Sequence, residues 1–201
     1  LKMDVARTFR DDAVYFAHNL DFRGRVYAVS PHLNHLGDDL ARSLLLFDEA
    51  KPLGSHGLFW LKVQLANLYG MDKLSLDGRV AWTDEQISSG IVAQVDAAPI
   101  AQPAFGWWSQ AENPPQALAA CFELHDALAA PEPEKHRSRL PVHQDGSCNG
   151  LQHYAALGRD EAGGEQVNLM PRDRPGDVYT GIANVLRKIV AEDELSAPDP
   201  E

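Results

Sequence analysis

Asp145 and Gly146 follow a short apolar segment, and this pair of residue types could bind a metal ion. A strand through Leu140–Gln144 would fix the carboxylate, and the glycine would let a substrate or the metal approach the backbone. Mg²⁺ takes oxygen ligands of this kind, usually one or two carboxylates together with substrate phosphates. The residues alone leave an ordinary turn open as the alternative, because Asp and Gly both favour turns.

Zinc is a weaker hypothesis for this chain. His32 and His35 have no second Cys or His pair at zinc-finger spacing. His153 stands alone, and a lone histidine is more often a hydrogen-bonded polar residue than a metal ligand. Cys121 and Cys148 are too few for a disulfide framework, which suits a reducing compartment.

The composition limits the classes of function. The chain has 201 residues, 44% of them apolar, which predicts one or two domains with a real core. No apolar run reaches the roughly 18 residues of a membrane span. The net charge of −11 favours a small-molecule enzyme or an acidic protein-interaction module over a nucleic-acid binder. A local basic patch would nevertheless suffice for nucleic acid, and the start at Leu1 suggests a partial chain.

Apolar periodicity and breaker residues predict mostly helices, with two short strands that would position the candidate site. Ser55 is the expected N-cap of one helix, and Gly70 is its expected end. The strands are expected near 22–29 and 140–145, in one small sheet. The expected helices cover 4–19, 38–49, Ser55–Tyr69, 84–94, Gln116–Ala129, Asn149–Leu157 and 177–192.

Two motifs resemble those of a known family, the single-subunit RNA polymerases of mitochondria, plastids and certain phages. The run Pro141–Asp160, with His143-Gln144-Asp145-Gly146 inside it, resembles palm motif A of these enzymes. Asp21-Phe22-Arg23-Gly24-Arg25 is similar to their Asp-x-x-Gly-Arg element. The sequence between the motifs looks like the organellar branch, notably Ser30–Gly37.

The resemblance implies a role for each matching residue. Asp145 would be catalytic and bind two Mg²⁺ ions, with the Gly146 carbonyl as a further ligand. Arg23 and Arg25 would hold the template or the RNA–DNA hybrid, although a pair of surface arginines beside a turn is the alternative. His153 and Tyr179 are candidates for lining the nucleotide site, and both are also ordinary packing residues.

The fold class implied is α+β and mostly helical, a partial polymerase palm with a small antiparallel sheet and helical insertions. The expected parts are a palm entry (1–50), a helical insertion (51–139), palm motif A (140–160) and an incomplete start of the fingers (161–201). The family's second metal-binding Asp, in a His-Asp-Ser context, has no counterpart here, since His125-Asp126 precedes Ala127. The isolated chain is therefore expected to be inactive.

The implied activity of the complete protein is DNA-directed RNA synthesis. Its expected partners are a DNA template, the RNA product, ribonucleoside triphosphates and transcription initiation factors, without a membrane. The expected location is the mitochondrion, with the plastid as the alternative. A non-catalytic remnant of such a polymerase that binds nucleic acid remains a second hypothesis.

Overall fold

The computed structural model describes residues 1–143, 146 and 148–196, the last four by backbone only. The chain divides into two compact units, Leu1–His143 and Gln144–Glu201. The boundary lies inside the segment 140–160 that resembles motif A. The four-part functional division stays a prediction.

Helices dominate both units, and the strands are short. In the first unit the helices are α1 (Lys2–Thr8), α2 (Asp39–Ser43), α3 (Gly54–Tyr69), α4 (Leu76–Ser88), α5 (Ile91–Ala97), α6 (Ala104–Trp108) and α7 (Pro114–Ala129), with a 3₁₀ turn at Pro133–Lys135. The strands are β1 (His18–Leu20), β2 (Val26–Ala28), β3 (Lys51–Pro52) and β4 (Arg137–Ser138). The second unit contains α8 (Asn149–Gly158), α9 (Glu161–Gln166) and α10 (Val178–Ser196).

The core of the first unit lies between α3, α4, α5 and α7. Leu65 of α3, Val95 of α5 and Leu124 of α7 are fully buried there. Gln116, at the start of α7, donates from its backbone N and from Nε2 to Asp39 Oδ1, at 3.1 and 2.9 Å. These bonds attach α2 to the bundle, because Asp39 is the first residue of α2.

Glycine and serine set the ends of the bundle helices. Gly70 ends α3 in the left-handed conformation with a φ of +103°, as predicted. The predicted N-cap was wrong, because α3 begins at Gly54 and Ser55 lies within its first turn. The predicted helix 84–94 is two helices, since Gly90 adopts a φ of +79° between α4 and α5. The Ser75 hydroxyl caps α4 by accepting from the Gly78 amide at 3.1 Å.

Two predicted helices of the first unit are shorter than expected. The helix expected over 4–19 ends at Thr8, and its last residues form β1 instead. The helix expected over 38–49 ends at Ser43. Phe47, inside the expected range, lies beyond the observed end of the helix and is 62% exposed.

The sheet pairing also differs from the prediction. β1 pairs antiparallel with β2, with Asn19 opposite Tyr27, so the predicted strand at 22–29 forms a hairpin of its own. The second predicted strand is absent from the described residues 140–143, and the chain pairs earlier, where β4 meets β3. Pro141 explains part of this shift, because proline cannot donate to a ladder. The α+β, mostly helical fold class is confirmed, with small antiparallel sheets.

In the second unit, α8 and α9 pack against each other. The helix predicted at 177–192 is α10, and Ile182, Val185 and Ile189 on one of its faces are exposed. The apolar residues of α10 recur at the spacing of an amphipathic helix. α8 and α9 pack mainly against each other. Among the described residues, no helix has both the length and the hydropathy of a membrane span.

Candidate nucleic-acid interface and the motif A segment

The turn between β1 and β2 is built around Asp21. Its backbone N donates to the Arg25 carbonyl at 3.0 Å, and the Gly24 N donates to the Asp21 carbonyl at 3.0 Å. Gly24 adopts a φ of +77°, which favours glycine at this position. The Asp-x-x-Gly-Arg spacing thereby closes a tight turn with both arginines on it.

The Asp21 carboxylate organises the same turn from the side. Oδ1 accepts from the backbone N of Arg23 at 2.8 Å and of Arg25 at 2.9 Å. Oδ2 accepts from Nε and Nη2 of Arg23 at 2.9 and 2.8 Å. The backbone hydrogen bond from Arg25, followed by the bonds from Arg23, lowers the pKa of Asp21, against an opposing effect of burial. The carboxylate is thus ionised over the neutral range.

The two arginines differ in what they contact. The Arg23 guanidinium also donates to the Tyr27 hydroxyl at 3.3 Å and lies 5.4 Å from the centre of the Phe22 ring. Phe22 itself is 97% exposed. The Arg25 side chain is exposed, and its guanidinium makes no ion pair or hydrogen bond within the described part of the chain. Arg25 is therefore available to an external phosphate, whereas Arg23 is already oriented.

The predicted catalytic residue, Asp145, lies outside the described residues, as do its neighbours Gln144 and Ser147. Gly146 is described and exposed, and a Cβ built on it would collide with the side-chain amide of Asn149. Only glycine fits there without a shift of that amide. Cys148 follows with a φ of +55° and stands at the start of α8.

The described side chains contain no preformed metal cluster. Within residues 1–143, 146 and 148–192, no three His, Cys, Asp or Glu side chains are grouped so that they could hold a metal ion. Metal binding at Asp145 and Gly146 stays a prediction. His35 contacts His18 instead of His32, with 3.4 Å between their Nε2 atoms, and also faces the Phe16 ring.

The two nucleotide-site candidates are both exposed residues of the second unit. His153 lies on α8. Tyr179 lies in the first turn of α10 with 73% of its surface exposed, and its backbone N donates to Asp177 Oδ1 at 3.0 Å. The structure shows no contact between them in the described residues, so their role stays a prediction.

A pair of amides, overlooked in the sequence, shapes the second unit. Gln152 Nε2 donates to the Val167 carbonyl at 2.7 Å, which fastens α8 to the end of α9. The Asn168 side chain then pairs with both backbone groups of Gly176, donating to its O at 3.0 Å and accepting from its N at 2.5 Å. Asn168 has a φ of +61°. Its residue type was the available signal, since Asn tolerates the left-handed region better than other side chains.

The structural role of Asp21 was also missed in the sequence. Asp21 was identified only as part of a motif, and binding roles were predicted for Arg23 and Arg25 alone. The signal was its position two residues before Arg23, because aspartate commonly bonds the backbone two residues ahead. The structure shows that this carboxylate holds the whole turn.

Comparison with known proteins places these motifs in one family. The family model described as DNA-dependent RNA polymerase matches residues 51–199. The whole chain is 52% identical to DNA-directed RNA polymerase 2, chloroplastic/mitochondrial, of Arabidopsis thaliana, and covers 20% of that protein. With 96% of its length it is 53% identical to the mitochondrial DNA-directed RNA polymerase of Neurospora crassa, of which it covers 13%.

A third relative gives the same result. The mitochondrial DNA-directed RNA polymerase of Schizosaccharomyces pombe is 47% identical over 96% of the chain, which covers 16% of that protein. The chain thus spans a fifth or less of the length of these relatives. Since the family model matches most of the chain and the relatives are about half identical to it, the chain belongs to the single-subunit DNA-dependent RNA polymerases.

Proposed function

We propose that this chain is part of an organellar DNA-directed RNA polymerase. The match of residues 51–199 to the family model carries the proposal. The reaction would be nucleotidyl transfer, in which the RNA 3′-hydroxyl attacks the α-phosphate of a ribonucleoside triphosphate and pyrophosphate leaves. The template would be DNA, as the names of the relatives state for those proteins.

Within this function the chain would contribute one half of a metal site. Asp145, with the Gly146 carbonyl, would be the ligands supplied here, and a second carboxylate would come from elsewhere in the polymerase. Bound Mg²⁺ would supply charge stabilisation at the reacting phosphate. Gly146 is exposed and has no side chain, so its backbone is open to a ligand.

The turn at Asp21 would contribute to nucleic-acid binding. Arg25 is exposed and free of intramolecular partners in the described residues, while Arg23 is held in place by two bonds to Asp21. Exposed arginines bind phosphates. The oriented side chain of Arg23 would fix the direction of the bound strand, and the free side chain of Arg25 would adjust to it. The ligand would be the template strand or the RNA–DNA hybrid.

The experiment that tests the function replaces Asp145 by Asn in the polymerase that contains this chain. RNA synthesis on a primed RNA–DNA hybrid should fall by at least two orders of magnitude, because electrostatic stabilisation of the transition state is lost. Asp173→Asn, the same change at an exposed carboxylate of the second unit, is the control and should retain activity. Near-normal synthesis by Asp145→Asn would reject the catalytic assignment.

The same assay separates the second candidate function. A wild-type polymerase that binds the hybrid but makes no RNA at any Mg²⁺ concentration would be a non-catalytic remnant.

His153 and Tyr179 would line the nucleotide site, so His153→Ala and Tyr179→Phe should raise KM for the ribonucleotide more than they lower kcat.

The names of the same relatives support a location for the polymerase. Because several relatives carry the words mitochondrial or chloroplastic/mitochondrial in their names, we propose a mitochondrial location with the plastid as the alternative. Transcription initiation factors would act with the complete polymerase. Imaging of the tagged full-length protein against mitochondrial and plastid markers tests the location.

A further inference from the structure

A basic groove interrupts the acidic surface of the first unit. The chain has 18 Lys and Arg against 29 Asp and Glu, yet Arg7, Arg10 and Arg139 line one groove of about 430 Å³. Asp12 is the acidic residue in its lining. Arginines gathered on one groove can neutralise phosphates locally, whatever the net charge of the whole chain. Asp12 in the lining and the ion-pair partners Asp4 and Asp48 offset part of this positive charge.

Different segments of the first unit bring the arginines together. Arg7 lies in the last turn of α1, Arg10 two residues after its end, and Arg139 directly after β4. Arg139 is fixed by a hydrogen bond from Nε to the Phe47 carbonyl at 2.5 Å. The groove is thus a product of the fold rather than of a basic run in the sequence.

The arginines have little competition from within the chain. Arg7 lies 3.6 Å from Asp4, and Arg139 lies 3.9 Å from Asp48. Both aspartates are largely exposed, at 72% and 83%, so water and salt screen these pairs. Arg10 forms no ion pair or hydrogen bond with the residues that the structure describes. An incoming phosphate would displace only weak partners.

The floor of the groove is apolar and open. Met3, Phe9 and Leu46 line it and are each exposed by between two and three fifths of their surface. Unpaired bases stack on exposed aromatic rings, while a positively charged groove follows their backbone. A double helix could not use such a floor, because its bases are stacked and paired.

We propose that this groove binds single-stranded nucleic acid, with phosphates at Arg7, Arg10 and Arg139 and a base on Phe9. The inference rests on the proposed polymerase function, but the groove takes no part in the chemistry. It gives the acidic chain a second nucleic-acid contact, separate from the turn at Arg23 and Arg25. An acidic peptide is the competing occupant.

The test measures binding of fluorescent eight-nucleotide oligo-dT and oligo-U, and of an acidic amphipathic peptide, to the polymerase that contains this chain. Binding is measured at several salt concentrations. Arg10→Gln and the double variant Arg7→Gln/Arg10→Gln remove charge without breaking a bundle contact. The plot of log affinity against log salt should flatten by about 0.7 for each phosphate that the variant no longer neutralises. The double variant should bind both oligonucleotides at least tenfold more weakly at low salt.

Lys73→Gln and Lys135→Gln are matched controls, since both remove one exposed positive charge away from the groove. They should stay within twofold of wild type in affinity and keep its salt slope. Phe9→Ala should weaken binding about fivefold or more at every salt concentration without changing the slope, because stacking is not an ionic contact. Phe9→Tyr should restore the affinity.

The proposal is overturned if the groove variants keep the wild-type slope and affinity for both oligonucleotides. It is equally overturned if they lose binding only of the acidic amphipathic peptide. A preference between oligo-dT and oligo-U assigns the strand as DNA or RNA. RNA synthesis is measured in parallel. A wild-type protein that makes no RNA would overturn the proposed polymerase function. Groove variants with normal RNA synthesis and unchanged oligonucleotide binding would overturn only the groove proposal.

Discussion

The guanidinium of Arg23 is held by the carboxylate of Asp21 through two hydrogen bonds, 2.9 Å from Nε and 2.8 Å from Nη2. This pairing orients Arg23 before any ligand arrives. Arg25, two residues later, gives its backbone N to the same carboxylate and leaves its side chain free. The two arginines of one motif therefore have different tasks, and substitutions should distinguish them.

Arg25→Ala should weaken binding of an RNA–DNA hybrid and lower the salt slope by about 0.9, the value for one phosphate contact. Arg25→Lys should keep the slope, because it keeps the charge. Arg23→Ala should cost more affinity than Arg25→Ala, since it also leaves the negative charge of Asp21 uncompensated beside the ligand. Fluorescence anisotropy at several salt concentrations measures all three. Equal losses for the two alanine variants would contradict the division of tasks.

The Asp21 carboxylate should stay ionised to a lower pH than an unpaired aspartate. The pKa of Asp21 is lowered in the folded chain by the backbone bond from Arg25 and by the bonds from Arg23. A lowered folded pKa means that this carboxylate contributes stability above its unfolded value of about 3.9, and that the contribution is lost as the pH falls through the folded pKa.

Backbone amide NMR shifts of Arg23 and Arg25 followed against pH measure this transition. We expect both amides to titrate together with a midpoint below about 3.9. The Asp21→Asn variant should remove the transition, because it has no carboxyl to protonate. A midpoint at or above about 3.9 would contradict the pairing seen in the turn.

Sequence reasoning succeeded where one local rule decides the outcome. Gly70 ends α3 because the left-handed conformation needs glycine, and the helix predicted at Gln116–Ala129 exists as α7 because its apolar period is regular. It failed at the start of α3, where Ser55 lies inside the first turn instead of capping the helix. It also failed at 84–94, where Gly90 separates two helices instead of lying within one. Pairing of β3 with β4 joins residues more than 80 positions apart, which no local pattern reveals.

The sequence identified residues of the candidate site but not how their side chains are arranged. Motif spacing identified Arg23, Arg25, Asp145 and Gly146 as a group of interest. It could not reveal that Asp21 occupies one arginine and leaves the other free, because that depends on side-chain geometry within the turn. The basic groove was invisible for the same reason, since Arg7 and Arg139 are distant in the sequence.

The two cysteines should differ sharply in reactivity. Cys121 is fully buried in the bundle core, and burial raises the pKa of its thiol to about 12. Only the thiolate reacts with disulfide reagents, so Cys121 should be inert at neutral pH. Cys148 is partly exposed at the start of α8. Titration with a chromogenic disulfide should therefore count one thiol in the native chain and two in denaturant, and Cys148→Ser should abolish the native signal.

The bundle core should be sensitive to cavities in α7. Leu124→Ala removes a fully buried side chain and should lower the free energy of unfolding by about 2–5 kcal/mol. Leu128→Ala, one turn later on the same helix, is the control, because Leu128 is 37% exposed and should cost much less. Urea unfolding followed by circular dichroism gives both values. Equal costs would mean that Leu124 does not sit in the packed core.

Asn168 offers a test that separates backbone conformation from side-chain bonding. Its φ of +61° suits glycine, while its amide pairs with both backbone groups of Gly176. Asn168→Gly should lose only the pairing, whereas Asn168→Ala should lose the pairing and also carry about 1–2 kcal/mol of left-handed strain. Both variants should speed hydrogen exchange at the Gly176 amide.

The Gly163 amide is the internal reference for that measurement, because it is bonded to the Asp160 carboxylate at 3.0 Å and is independent of Asn168. Its exchange should stay unchanged in both variants. Thermal unfolding should place Asn168→Gly above Asn168→Ala, since only the alanine variant is strained. If exchange at Gly176 stays slow in both variants, Asn168 does not fasten the segment that leads into α10. Equal unfolding temperatures would mean that the alanine variant carries no left-handed strain.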